Sequence, residues 1–306
     1  MERMIHSKFM VSFIIGLSFF INISVAHAGT VVDMQTNHGL ITIELEDEVA
    51  PITVSNFLTY VDEGFYDGLV FHRIIEGFMS QGGGFNEALQ QQTPHAPIVL
   101  ESNVGLPNDR GTIAMARTSV PDSATSQFFI NAVDNAFLDY SNATRPGYAV
   151  FGAVIEGMAV VDEINKVATG TNDVPLENVV IEVVRRREAQ LNFAMQSNYR
   201  AGDTFAIALE ETMLRSAELD LWVAILMPDG SLLFATEQGF STVPAAYKAA
   251  VATTETNHLI YSVTVPAGIT GEYTLAAIYM KTGTNLEDMA HSLRSNFEQV
   301  TIEFVQ

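Results

Sequence analysis

Apolar and polar residues alternate along this chain with two spacings, which divide it into a mixed first half and a second half almost wholly of strand type. Val31–Thr36 and Gly39–Leu45 alternate on either side of Asn37-His38, a pattern that predicts a hairpin. In residues 51–63 (PITVSNFLTYVDE) the apolar side chains Val54, Phe57, Leu58 and Val61 recur every three or four positions, so a helix is expected with Pro51 in its first turn. Residues 158–167 show the same spacing, and the rest of the stretch up to about Glu188 reads as short strands and loops. From Gln190 onward, residues 220–226, the turn Pro228-Asp229-Gly230 and residues 231–234 read as strand, turn and strand. Residues 260–265, 272–280 and 299–305 add three more strands, and such a series suggests a β-sandwich.

The first 28 residues follow neither pattern. Arg3 and Lys8 precede an apolar run of 17 residues, Phe9 to Val25, and Ala26-His27-Ala28 follows it. This is the signature of a cleavable secretory signal peptide, and the run is shorter than the roughly 20 residues that span a bilayer. The expected organisation is a signal peptide at 1–28, a first domain at 29–188 and a β-sandwich-like domain at 189–306. Cleavage would leave a soluble exported protein, periplasmic or, as the alternative, secreted.

Composition narrows the chemistry. The 306 residues include no Cys, which excludes a disulfide framework, thiolate-held metals and thiol catalysis. The net charge is −21, and both halves are acidic: 8 basic against 22 acidic residues in 29–189, and 5 against 13 in 190–306. Nucleic acid and anionic lipid, which require basic surfaces, are not expected partners. The Arg185-Arg186-Arg187 triplet reads as a solvated strand end or linker. The scattered His38, His95, His258 and His291 have no metal-ligand spacing, and the acidic run around Asp47 lacks a calcium-loop pattern. Gly82-Gly83-Gly84 has no Lys-Ser/Thr after it, so it reads as a tight turn rather than a phosphate loop.

The stretch richest in candidate chemistry is Phe71-His72-Arg73-Ile74-Ile75-Glu76-Gly77-Phe78-Met79-Ser80-Gln81, which runs into that glycine triplet. Then come Gly111-Thr112-Ile113-Ala114-Met115-Ala116-Arg117, Ser126-Gln127-Phe128-Phe129-Ile130-Asn131, Asn135-Ala136-Phe137-Leu138-Asp139 and Gly147-Tyr148-Ala149-Val150-Phe151-Gly152. Taken singly, the phenylalanines and Met79 read as core.

As an ordered set, these five motifs resemble the cyclophilins, most closely the bacterial periplasmic cyclophilin-type peptidyl-prolyl cis-trans isomerases, over about residues 30–185. The resemblance implies a mainly β fold: a closed eight-stranded antiparallel barrel capped by two helices. It implies catalysis of X-Pro rotation by Arg73 with Gln81 on the substrate backbone, and no cofactor or metal. Phe78, Met79, Phe129 and Leu138 match the family's proline pocket, Ala116 and Arg117 its substrate edge, and Gln127 a further polar groove residue. Phe128 stays in the core, and His72 is read as structural. Phe137 and Tyr148 stand where eukaryotic members carry Trp and His, so weak cyclosporin binding is expected, because the indole N–H donor is missing. The expected partners are proline-containing segments of unfolded or folding exported proteins. Two other readings stay open: a non-catalytic chaperone or proline-peptide-binding module, and a protein whose second domain mediates adhesion or client binding. The single Trp222 is read as a sandwich core residue, with an exposed ligand platform as the other reading.

Overall fold

The computed structural model describes residues 29–213 and 215–306, so the expected signal peptide lies outside the described residues. The first β-rich unit contains β1 (Val31–Thr36), β2 (Gly39–Leu45), α1 (Pro51–Asp62), β3 (Leu69–Val70), β4 (Arg73–Ile75), β5 (Met79–Gly82) and β6 (Phe85–Asn86). It continues through β7 (Thr112–Met115), β8 (Phe128–Asn131), β9 (Val150–Glu156), α2 (Met158–Ile164) and β10 (Val180–Arg187). The hairpin β1–β2 and both helices fall where the hydrophobic spacing places them.

These strands form one antiparallel sheet in the order β4-β5-β8-β7-β9-β2-β1-β10-β3-β6. β3 runs on into β4 and β5 into β6, and the two bent strands pair along both halves, Leu69 with Asn86 and Arg73 with Gln81. Joining the halves closes the sheet into a ring of eight strands, which leaves no free edge. The interior is filled by a cluster that includes Ile41, Ile43, Ile113, Phe128 and Phe151, and α1 contributes Val54, Phe57, Leu58 and Val61 to it. Those are the four positions whose spacing predicted the helix.

The Arg185–Arg187 triplet is a strand end, as expected, but it is not solvated. β10 lies beside β1, and Arg187 is buried with its Nη2 donating to Asp33 Oδ1 at 2.7 Å, while Arg185 lies 3.8 Å from the same carboxylate. Arg186 alone faces outward and pairs with Asp62 of α1. A buried charge is stable only beside its opposite, and Asp33 supplies it from the neighbouring strand.

The second unit contains β11 (Leu191–Phe193), β12 (Asn198–Tyr199), β13 (Thr204–Glu211), β14 (Leu219–Leu226), β15 (Leu232–Thr236) and β16 (Gly239–Ser241). After them come β17 (Lys248–Val251), β18 (Asn257–Thr264), β19 (Gly271–Lys281), the short α3 (Met289–Ser292) and β20 (Glu298–Phe304). One sheet is ordered β11-β13-β18 and the other β12-β20-β19-β14-β15-β16, with β17 also on β14. The two share a core in which Phe205, Ile207 and Leu209 of the first meet Leu221, Val223, Leu275 and Ile302 of the second. Trp222 is buried, but not in that core. Period-two alternation turns it to the other face of β14, where it packs with Phe234, Ile278 and Leu293. The core reading of Trp222 is therefore corrected to a satellite cluster on the outer face of the sheet.

Candidate active site

The candidate residues collect on the outside of the barrel, over the floor made by β4, β5, β8 and β7. Strand alternation sorts the phenylalanine pair: Phe128 points into the barrel core and Phe129 to the opposite face. With Met79, Ala114 and Val150, Phe129 forms a second apolar cluster outside the barrel, against which Phe78, Ala116, Leu138 and Tyr148 pack. Above it lies a cavity of about 140 Å³ lined by Arg73, Phe78, Met79, Gln81, Ala116, Arg117, Phe129, Leu138 and Tyr148.

Nine of the eleven residues singled out from the sequence therefore share one cavity, and the other two adjoin it. Gln127 receives a hydrogen bond on Oε1 from Gln81 Nε2 at 2.9 Å. Its side chain occupies the space above Gly84, where a Cβ would lie 2.5 Å from it, so the third glycine of the triplet is there to admit Gln127. Phe137 is three-quarters exposed and stacks on Phe78 with ring centroids 5.5 Å apart, forming the rim rather than the lining.

Two cations face this cavity. Arg73 stands directly across from Gln81 in the β4–β5 pairing, and its Nε donates to Asp173 Oδ2 at 3.3 Å. Arg117 is held more tightly: Nε and Nη2 donate to the Gly147 carbonyl at 2.9 and 2.7 Å, and the guanidinium lies 4.6 Å from the Tyr148 ring centroid. Gly147 has φ +66, and a Cβ there would lie 2.6 Å from the Asp139 backbone, so only glycine lets that carbonyl approach. His72 is no partner for Arg73. Burial pushes its pKa down to about 4, so it is neutral at pH 7, and its ring packs on Phe85.

Three supporting features were given no role from the sequence, although Asn131, Asn135 and Asp139 stand within its motifs. Asn135 Nδ2 donates to the Phe78 carbonyl at 3.0 Å and to Asn131 Oδ1 at 2.8 Å, while Asn131 donates to Thr112. Asn108 holds Asp139 at the far end of the loop that carries Phe137 and Leu138. Asn165, just past α2, accepts from Gly77 N–H and donates to the Ile75 carbonyl, which fixes the β4–β5 turn. Buried amides satisfied in this way restrict their neighbours to one arrangement.

An apolar floor with a guanidinium and a carboxamide at one lip has the chemistry to seat a small apolar ring while hydrogen-bonding the polar groups on either side of it. The family model for "cyclophilin type peptidyl-prolyl cis-trans isomerase" matches residues 31–186, and the chain belongs to that family. It is 54% identical over 159 residues to peptidyl-prolyl cis-trans isomerase B of Escherichia coli, covering 50% of this chain and 97% of the relative. It is 54% identical over 157 residues to peptidyl-prolyl cis-trans isomerase cyp18 of Streptomyces antibioticus, covering 49% and 95%. A peptidyl-prolyl cis-trans isomerase of Acinetobacter baylyi is 57% identical over 146 residues, covering 48% and 77%. The protein is a peptidyl-prolyl cis-trans isomerase, and the β-rich part from residue 187 onward lies outside the family match.

Proposed function

We propose that X-Pro bonds turn in this cavity, with Arg73 as the catalytic residue and the proline ring seated on Phe129, Met79 and Leu138. The observation that carries the reading is the placement of Arg73 opposite Gln81 at the lip of an apolar cavity. Amide resonance sets a barrier of ~18–20 kcal/mol, and no covalent bond need break to cross it. The site has to favour the twisted state over the planar one. As the bond twists, the prolyl nitrogen loses conjugation and becomes an acceptor, and a fixed guanidinium is suited to donate to it. Asp173 engages Nε of Arg73, which leaves the two Nη ends for the substrate. Gln81, oriented by Gln127, hydrogen-bonds the substrate backbone, and Ala116 and Arg117 form the edge along which it lies.

Residues 29–188 form the isomerase domain in this reading, and 189–306 an accessory domain. The signal-like pattern of residues 1–28 supports a location outside the inner membrane, in the periplasm or beyond, with exported chains as the substrates. Among the described residues no helix is long and apolar enough to cross a membrane.

The test is cis/trans exchange of a short Ala-Pro-Phe peptide. Arg73→Ala is expected to lower kcat/KM about a hundredfold, or about 2.7 kcal/mol of transition-state stabilisation, while peptide affinity changes little. A full rate in the variant would remove Arg73 from the mechanism. Binding by the unaltered protein without acceleration would leave a proline-peptide holder.

A further inference from the structure

The second unit contains an apolar cavity of about 300 Å³ between its two sheets, more than twice the size of the one on the barrel. Its depth is formed by buried residues such as Phe205, Ile225 and Phe304, and its mouth by Phe240, Tyr261 and Val263. The mouth lies where the sandwich is left open. β16 ends one sheet and β18 the other, and among the described residues neither has a strand on its outer side. On the opposite side the sheets are tied together, with Phe193 of β11 donating to Glu298 of β20.

Strand register shows why the cavity exists. Tyr261 and Val263 sit across from Ile207 and Phe205 of β13, whose side chains are buried in the core, so they occupy inward positions. Both are nonetheless 37% exposed: the facing sheet meets the start of β18, where Tyr279 Oη and His258 Nε2 lie 2.7 Å apart and Tyr247 Oη donates to the Leu259 carbonyl, but over Tyr261 it offers only the edge contact of Phe240, 5.1 Å between centroids. Inward apolar positions on an unpaired edge strand match a sheet that accepts one more strand. Every second side chain of an added strand would enter the cavity, while its backbone bonds to the edge.

Charge selects the occupant. None of the residues that line the cavity is charged, and the turns joining its lining residues Met227, Leu233 and Phe240 carry Asp229 and Glu237 and no Lys or Arg, while Glu272 and Glu303 pair on the opposite face of their sheet. A fatty-acid carboxylate would find no cation among the lining residues, and a second copy of this chain would bring its own net charge of −21. We propose that the cleft between β16 and β18 is a second polypeptide site, which takes an extended segment with alternate apolar side chains and basic neighbours as an added strand on β18. It deepens the reading of the second domain as a client-binding part and does not depend on the role of Arg73.

The test uses the whole protein and a fluorescent, proline-free peptide in which Phe or Val alternates with Lys, followed by anisotropy. Saturable binding is expected, at least tenfold weaker when Asp replaces Lys, and tenfold weaker in Val263→Lys, whose Ala-Pro-Phe isomerisation rate is unchanged. Arg73→Ala should bind this peptide as the unaltered protein does, so failure of the catalytic assignment would leave this one standing. Hydrogen exchange on the unaltered protein, which requires no variant, should show β18 amides slowed by the peptide. Absence of saturable binding, equal binding in Val263→Lys, or β18 amides that do not slow would each overturn the proposal. Tighter binding of dodecanoate than of the peptide, or dimerisation through this edge on sedimentation, would overturn it in favour of those occupants.

Discussion

The cavity on the barrel and the cavity in the sandwich are built on opposite plans. The barrel cavity is small, sits on a closed sheet, and mixes an apolar floor with Arg73, Arg117 and Gln81. Each polar group there is fixed from behind: Arg117 by the Gly147 carbonyl, Gln81 by Gln127, and the Phe78 carbonyl by Asn135. The sandwich cavity is larger, opens on two free strand edges, and its lining has no charged side chain. A site that must discriminate a twisted amide from a planar one needs donors held still against a snug floor. A site that holds varied extended chains needs apolar volume, an edge and a general charge preference. Each carries an aromatic pair at its rim, Phe78–Phe137 and Phe240–Tyr261. The difference between them lies in what stands behind the rim.

The largest expected difference concerns acid. His72, beside the barrel site, has its pKa pushed from 6.5 to about 4 by burial. Well above pH 6.5 the ring is neutral in both the folded and unfolded chain and has no effect on the pH dependence of stability. As the pH falls from 6.5 to 4 the unfolded chain takes up a proton that the folded chain refuses, and folding stability drops by roughly 3 kcal/mol. In urea unfolding at pH 7 and pH 4, His72→Phe should lose less stability than the unaltered protein by about that amount. Burial also lowers the pKa of His258 in the sandwich, opposed by Glu255 at 3.4 Å, so some acid sensitivity should persist in the variant. Equal losses in the two proteins would mean His72 is not held neutral.

Adding methylenes to each cavity separates a filled site from an unfilled one. Ala116→Val pushes into the 140 Å³ barrel cavity and should lower kcat/KM for Ala-Pro-Phe about tenfold, or ~1.4 kcal/mol, chiefly through KM. Val263→Ile adds one methylene where there is room, and should raise stability by about 0.8 kcal/mol. Were Val263→Ile to destabilise, the sandwich would be as tightly packed as the barrel, and the contrast would disappear.

The barrel was legible in the sequence because its signals are local and ordered. Turn residues flank alternating strands, a helix shows its apolar face at Val54, Phe57, Leu58 and Val61, and the five motifs occur in series. Those motifs also named nine residues that line one cavity. The residues that brace them from outside the motifs were silent, because Asp173 and Asn165 act across 100 and 88 residues of sequence, and one polar residue in a loop looks like another. Arg187 read as solvated for the same reason: its partner Asp33 is 154 residues away. In the sandwich the five strands expected from sequence are present, but β13, with Phe205, Ile207 and Leu209 in clear alternation, went uncounted, as did the short β11, β12, β16 and β17. Without β13 and β16 the open edge could not be foreseen. Alternation on β14 marks a strand but not which of its faces meets the main core, and Trp222 lies on the face away from it.

The smallest effect probes the two rims. Phe137 is exposed and stacked on Phe78, and it has no donor to offer a bound cyclic peptide. Phe137→Trp should strengthen cyclosporin binding by about 0.5 kcal/mol, two- to threefold in affinity, because a neutral hydrogen bond at a wet rim contributes at the low end of its range. Phe240→Trp at the other rim should leave cyclosporin affinity unchanged while altering binding of the Lys-alternating peptide. Titration calorimetry of both variants against both ligands checks this directly. A cyclosporin response to Phe240→Trp would mean that one ligand reaches both cavities, and the division into a catalytic site and a holding site would then have to be abandoned.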